Sequence, residues 1–408
     1  MAQSPSLKAR ALRALARGKT GDAQKLTDRL LAMQGLAPLD ALRGADLMLL
    51  LGKTDKAKAM LQSLADQGTG MTAPKTQLEK IAAGGAALEA LKTSIAIKTP
   101  AQGYALALMD MARILYQEQS DSSVRIFARL ALMLDPSIID AHLLMADSLA
   151  RNARFEEAIA ELKTIPKDHE SYRQAQHYAA DLMAQAGNKR GAQDLLEKLF
   201  KQDNDIEALI RVGDLRRSDE DYKGALEAYN RAAKRIGDKI PSEFWHLLYA
   251  RGMAYERQGD WGRAEADLKA ALVFQPDNPY LLNYLGYGWA DQGKNLDESL
   301  KLIARAVELN PEDGYIADSL GWVHYMRGHY AESVKPLEKA VELLPYDPTI
   351  NDHLGDAYWR VGRKQEARFQ WERALSYAEA DTKTDVIRGK LKDGLDPAAP
   401  MREAKHGK

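Results

Sequence analysis

Apolar residues in this chain recur every three to four positions and do not alternate, so the elements predicted throughout are amphipathic helices. Between Trp245 and Ala374 the pattern repeats with a fixed period. The segment RGMAYERQGDWGRAEADLKAALVFQPDN (Arg251 to Asn278) is echoed by LGYGWADQGKNLDESLKLIARAVELNPED (Leu285 to Asp313). It is echoed again by LGWVHYMRGHYAESVKPLEKAVELLPYD (Leu320 to Asp347) and by LGDAYWRVGRKQEARFQWERALSYA (Leu354 to Ala378). Aligned on their first glycines, Gly252, Gly286, Gly321 and Gly355, the units are 34, 35 and 34 residues apart. Each unit predicts a helical hairpin. The first helix carries that glycine, where a larger side chain would push its partner away. The second helix carries small residues (Ala264, Ser299, Ser333 and Ala367, then Ala271, Ala306, Ala340 and Ala374) that permit close ridge-into-groove approach. Glycines 259, 293, 328 and 362 end the first helix, and Pro276, Pro311 and Pro345 stop the second, because proline cannot continue the hydrogen-bond ladder.

This glycine–aromatic–alanine–proline pattern resembles the tetratricopeptide repeat, which implies an all-α fold: a right-handed superhelix, or α-solenoid, of about eleven hairpins closed by a C-terminal capping helix. In such an array each unit contacts mainly its neighbours. The frame runs backwards more faintly. Gly18 and Gly52 mark degenerate hairpins in residues 1–70, and residues 71–104, dense in glycine and proline, read as a weak hairpin or joint. Residues 105–236 hold central repeats. The step from Gly213 to Gly252 is 39 residues, and the surplus predicts a longer loop at 237–244. Strong repeats fill 245–380, a capping helix covers 381–395, and 396–408 reads as a disordered polar tail.

Composition then narrows the chemistry. A formal net charge of −1 gives no basic surplus for nucleic acid, and the absence of cysteine removes disulfides, thiolate metal sites and thiol catalysis. No stretch approaches the ~20 apolar residues of a membrane span, and the basic start MAQSPSLKARALRALARGK lacks the apolar run of a signal peptide. Gly288 to Asn295, GWADQGKN, approaches a phosphate-binding loop. It has Asn295 where a hydroxyl belongs and follows no strand, so Gly293 reads as a helix terminator. Of the eight histidines, His324, His329 and His353 lie in the strong repeats, but no ligand spacing defines a metal site. No carboxylate pair or Ser-His-Asp order stands out. The expectation is a protein without catalytic residues, metal or cofactor.

What the repeat does not require is the set of side chains on one face of each first helix, the face that lines a groove in such arrays. Those positions hold Tyr249; Tyr280, Asn283 and Tyr287; Tyr315, Asp318 and Trp322; Asp352 and Asp356, with Tyr325 and Trp359 joining them. Rigid aromatic rings flanked by a few polar groups suit capture of a peptide. Three aspartates with no lysine among these positions make the C-terminal groove acidic, so the partner expected is a neutral-to-basic protein or peptide segment with apolar anchors.

Phrases such as LLYARGMAYERQGDWGRAEADLKAAL, LNYLGYGWADQGKNLDESL, DGYIADSLGWVHYMRGHYAESV and DPTINDHLGDAYWRVGRKQEARFQWERAL resemble a secreted family of tetratricopeptide proteins of alphaproteobacteria. The likeness covers most of Tyr104 to Leu395. It implies a scaffold, adaptor or assembly chaperone of the periplasm or outer membrane, peripherally associated with an envelope complex. The rival readings are a cytosolic regulatory adaptor and a fixed architectural subunit of a larger complex.

Overall fold

A computed structural model describes residues 4–33, 35–66, 73–169, 171–380 and 382–395. The tail expected at 396–408, residues 67–70 at the end of the expected degenerate hairpins and residues 71–72 of the expected joint lie outside the described residues. Among those described, every long element is an α-helix and there is no strand.

The chain divides into two compact units, residues 1–196 and 197–408. The first contains five complete hairpins: α1 (Ser4–Ala16) with α2 (Thr20–Leu31), α3 (Pro38–Leu50) with α4 (Thr54–Asp66), α5 (Ala73–Ala83) with α6 (Gly85–Ile95), α7 (Pro100–Gln117) with α8 (Asp121–Leu134), and α9 (Ile139–Arg151) with α10 (Phe155–Lys163). It then holds α11 (Tyr172–Gln185) and the start of α12 (Lys189–Asp203). Helix α7 starts as its sequence asks. Pro100 takes the first position, and Thr99 and Gln102 form a reciprocal capping box.

Neighbour-only packing fails in this unit. Helix α1 packs against α7, three hairpins further on, as well as against α2 and α3. Leu7, Ala11 and Leu12 of α1 join Leu30, Leu47, Ile97 and Leu106 in one apolar cluster. Lys8, fully buried, forms an ion pair with the buried Asp110 of α7. Around that pair Arg43 reaches Asp46 at 3.0 Å, and Arg113 reaches Asp140 at 2.6 Å. Burial pulls the Lys8 ammonium below its usual range, with Asp110 resisting. The first hairpins therefore close onto the fourth and do not act merely as spacers.

The second unit continues with α13 (Ile206–Ser218) and α14 (Tyr222–Ile236), then the expected longer loop, which holds a short 3-10 turn at Ser242–Phe244. Four regular hairpins follow: α15 (Trp245–Arg257) with α16 (Trp261–Phe274), α17 (Pro279–Asp291) with α18 (Leu296–Leu309), α19 (Gly314–Met326) with α20 (Tyr330–Leu343), and α21 (Pro348–Arg360) with α22 (Lys364–Ser376). A last helix, α23 (Thr384–Asp393), packs on α22. In chain order the described residues form eleven pairs, each of a first (A) and a second (B) helix, and a cap.

The packing logic of the repeat holds atom by atom. A Cβ on Gly286 would stand 2.7 Å from Ile303 Cγ1 and 3.2 Å from the Ser299 carbonyl oxygen. A Cβ on Gly321 would strike Leu337, and one on Gly355 the indole of Trp371. Ala264, Ser299, Ser333 and Ala367 are fully buried, as are Ala271, Ala306, Ala340 and Ala374. Gly293, at the end of α17, has φ +65°, a left-handed conformation cheap only for glycine. It is a helix terminator and no phosphate loop.

Candidate functional site

The residues singled out on α15, α17, α19 and α21 fall into two groups. Tyr280 and Tyr315 are 53% and 59% exposed, each on the first turn of its helix. Their placement follows from local caps. Asn278 Oδ1 accepts from the Tyr280 and Leu281 amides, and Asp313 Oδ1 accepts from those of Tyr315 and Ile316. These caps start the helices at fixed points and leave the tyrosines at the edge. Burial raises the Tyr315 hydroxyl above its usual range, with Asp347, Asp313 and Glu379 adding to the effect.

The other predicted residues are packed to varying degrees. Tyr249 is half-buried and meets Tyr284 edge-on at 5.8 Å, and the Tyr284 hydroxyl donates to Glu256 at 3.1 Å. Tyr287 is half-buried as well, and burial pushes its hydroxyl up, helped by Asp291 and Asp318. Asn283 keeps a buried side-chain oxygen without a hydrogen-bond donor, and Trp322 a buried indole N–H without an acceptor, among the described residues. Trp322 stacks on His353 with ring centres 3.9 Å apart and on Tyr325 at 4.9 Å. Tyr325 is buried, accepts from Arg360 Nε at 3.3 Å, and has its hydroxyl pushed up to about 12 by burial, with Asp356 adding.

The three aspartates expected to make the groove acidic all have cationic or imidazole partners. Both oxygens of buried Asp318 lie 3.0 Å from His353 Nδ1. Burial opposes charge on that imidazole, but Asp318 outweighs it and holds its pKa above the usual value. Lys390 of α23 donates to both oxygens of Asp352 at 2.7 Å and to buried Asp356 at 2.8 Å. Asp356 also accepts from Trp371 Nε1 at 2.9 Å. Burial, with Asp352 beside it, lifts the Asp356 carboxyl to about 6 against the pull of Lys390. The carboxylates thus join α19 to α21 and α21 to α23. Trp359 completes the seam, tilted on Trp371 at 5.3 Å, and Gly394 sits so close that a Cβ there would enter the Trp359 ring.

Arg360 and Lys390 were not anticipated, and His353 had been singled out only as a histidine without metal-ligand spacing. The Asp318–His353 contact could have been, since the two lie 35 residues apart, one repeat period. Lys390 belongs to a helix outside the repeat, so no periodicity fixed its register. No group of three or more potential metal ligands occurs among the described residues.

Paired helices of this period, closed by glycine-to-aliphatic contacts, define a helical-repeat protein of the α-solenoid class. A family model described as tetratricopeptide repeat matches residues 249–313 and 290–348, so these residues carry tetratricopeptide repeats. A TPR repeat-containing protein of Pseudomonas aeruginosa is 33% identical over 161 residues, covering 39% of this chain and 26% of its own length. Superkiller complex protein 3 of Mus musculus is 28% identical over 157 residues, which is 38% of this chain and 10% of that protein. The chain thus spans about a quarter of the length of the first of these relatives and a tenth of the second. Among solved structures, the anaphase-promoting-complex hetero-tetramer Cut9-Hcn1 shares the fold, with a TM-score of 0.50, 14% identity and 95% coverage of both chains.

Proposed function

We propose that the protein is a non-enzymatic interaction scaffold that holds a protein or peptide segment along the face formed by α17, α19 and α21. One observation carries this reading: Tyr280 and Tyr315, one repeat apart, stand exposed on the first turns of successive A helices. Large aromatic rings cost little conformational entropy when they bind and are enriched where proteins meet. Asp313, Asp347 and Glu379 lie near Tyr315, which suits a neutral-to-basic segment with apolar anchors. The tetratricopeptide class supports protein binding as the general role. We assign the role to the periplasm, as adaptor or assembly chaperone at an envelope complex; the resemblance to secreted alphaproteobacterial repeat proteins is what supports that reading.

The packed residues Trp322 and Tyr287 are poor test positions, because truncating them disturbs the repeat. A photoreactive phenylalanine at Tyr315 or Tyr280 is the direct test. The expected result is a crosslink to one or a few envelope proteins, lost when the other tyrosine is replaced by alanine. Crosslinks spread over abundant unrelated proteins, unchanged by that replacement, would refute the site. Cell fractionation checks the location separately.

A further inference from the structure

A second candidate surface lies in the first unit. Counting back from the prolines that follow the second helices of four hairpins, α16 places Ala266, Ala270 and Val273 at ten, six and three residues before Pro276, whereas α18 places Lys301, Arg305 and Glu308 there before Pro311. Helix α20 places Lys335, Lys339 and Glu342 at the same distances before Pro345. These are outward positions, and charge there is what solvent favours. Helix α8 puts Ile126, Leu130 and Met133 in the same three places before Pro136, exposed by 59%, 42% and 74%. Spaced i, i+4, i+7, they form one apolar stripe about 10 Å long.

The stripe borders a groove of about 570 Å³. The opposite wall is α10, which has only 9 residues where α8 has 14. Met145 and Leu149 of α9 line the floor between them. Of the three arginines lining the groove, Arg129 is bound to Glu161 at 2.6 Å and Arg154 to Glu157 at 2.6 Å. Arg125 differs: its guanidinium donates to the hydroxyls of Ser148 at 3.2 Å and Ser122 at 3.5 Å. Three cations against two carboxylates leave the groove with a positive surplus located at Arg125.

We infer that the α8–α10 groove docks an amphipathic helix of a partner protein, with an apolar stripe seated on Ile126, Leu130 and Met133 and a flanking carboxylate received by Arg125. The length of the stripe matches two turns of a helix, and the Arg125 guanidinium, bound to hydroxyls and not to a carboxylate, selects an acidic flank.

The test uses the full chain and three labelled helical peptides of about 18 residues, long enough to populate helix. One has a leucine stripe flanked by glutamates, one the same stripe flanked by lysines, and one has serines for the leucines. Fluorescence anisotropy should show the glutamate peptide binding at least ten-fold more tightly than either other peptide, a difference of about 1.4 kcal/mol. Arg125→Glu should reverse the charge preference, and Ile126→Asp with Leu130→Asp should abolish binding while circular dichroism stays unchanged. Equal binding of the two charged peptides, or binding that survives the double aspartate change, overturns the inference. So does sedimentation showing a wild-type dimer that Ile126→Asp dissociates and the glutamate peptide does not, since the groove would then serve a second copy of this chain.

Discussion

Replacing Lys390 by methionine isolates what the capping helix contributes. The change keeps most of the aliphatic volume and removes the ammonium that lies 2.7 Å from Asp352 and 2.8 Å from Asp356. Side-chain exposure is 12% for Lys390, 8% for Asp356 and 20% for Asp352, so water can replace little of what is lost. Removing one partner of a buried pair costs about 3–5 kcal/mol, and the partial solvation of Asp352 favours the lower end. The sign with pH follows from the folded state. Asp356 titrates at about 6 when folded against 3.8 ordinarily, so the folded protein holds its proton more tightly and stability falls as pH rises from 4 to 6. Without Lys390 this window extends upward. At pH 8, above the folded Asp356 value, the full loss appears; at pH 5, below it, Asp356 is largely protonated and the loss shrinks. Lys390 is itself held above its usual value, so its ammonium is charged at both pH values and the difference between them comes from Asp356.

Urea unfolding followed by tryptophan fluorescence reads this directly, because Trp359 and Trp371 belong to the same cluster as α23. Adding Asp352→Asn and Asp356→Asn should restore most of the stability. A loss at pH 8 below about 1 kcal/mol, the scale of an exposed pair, would refute the reasoning. So would an equal loss at pH 5 and 8.

Three further outcomes are expected. Asp110→Ala should destabilise the first unit by about 3–5 kcal/mol by stranding Lys8, whereas Lys8→Met with Asp110→Leu should be far milder, as hydrogen exchange in α1 and α7 would show. Gly321→Ala should cost about 1–3 kcal/mol, because its Cβ would strike Leu337, while Gly262→Ala, whose nearest neighbour would be 3.9 Å away, should be neutral or stabilising in thermal melts. Ala306→Leu should lower the melting point by overpacking a site with no exposed surface.

The helical array was legible because its cause is local. Gly252, Gly286, Gly321 and Gly355, the buried alanines and the stopping prolines each act within one hairpin, and a period of about 34 residues writes that local rule again and again. The order of eleven hairpins and a cap, the longer loop before Trp245 and the burial of Trp371 all follow from it. Tertiary structure decided which outward-looking side chains stay free. Asp318, Asp352 and Asp356 read as an acidic surface, yet His353 from the next repeat and Lys390 from a helix outside the period occupy them. The closure of α1 onto α7 was equally invisible, since Lys8 and Asp110 lie about a hundred residues apart and share no repeat position. Periodicity fixes which face of a helix is apolar. Which neighbour arrives at the polar face depends on how hairpins stack, and that is a property of the assembled units alone.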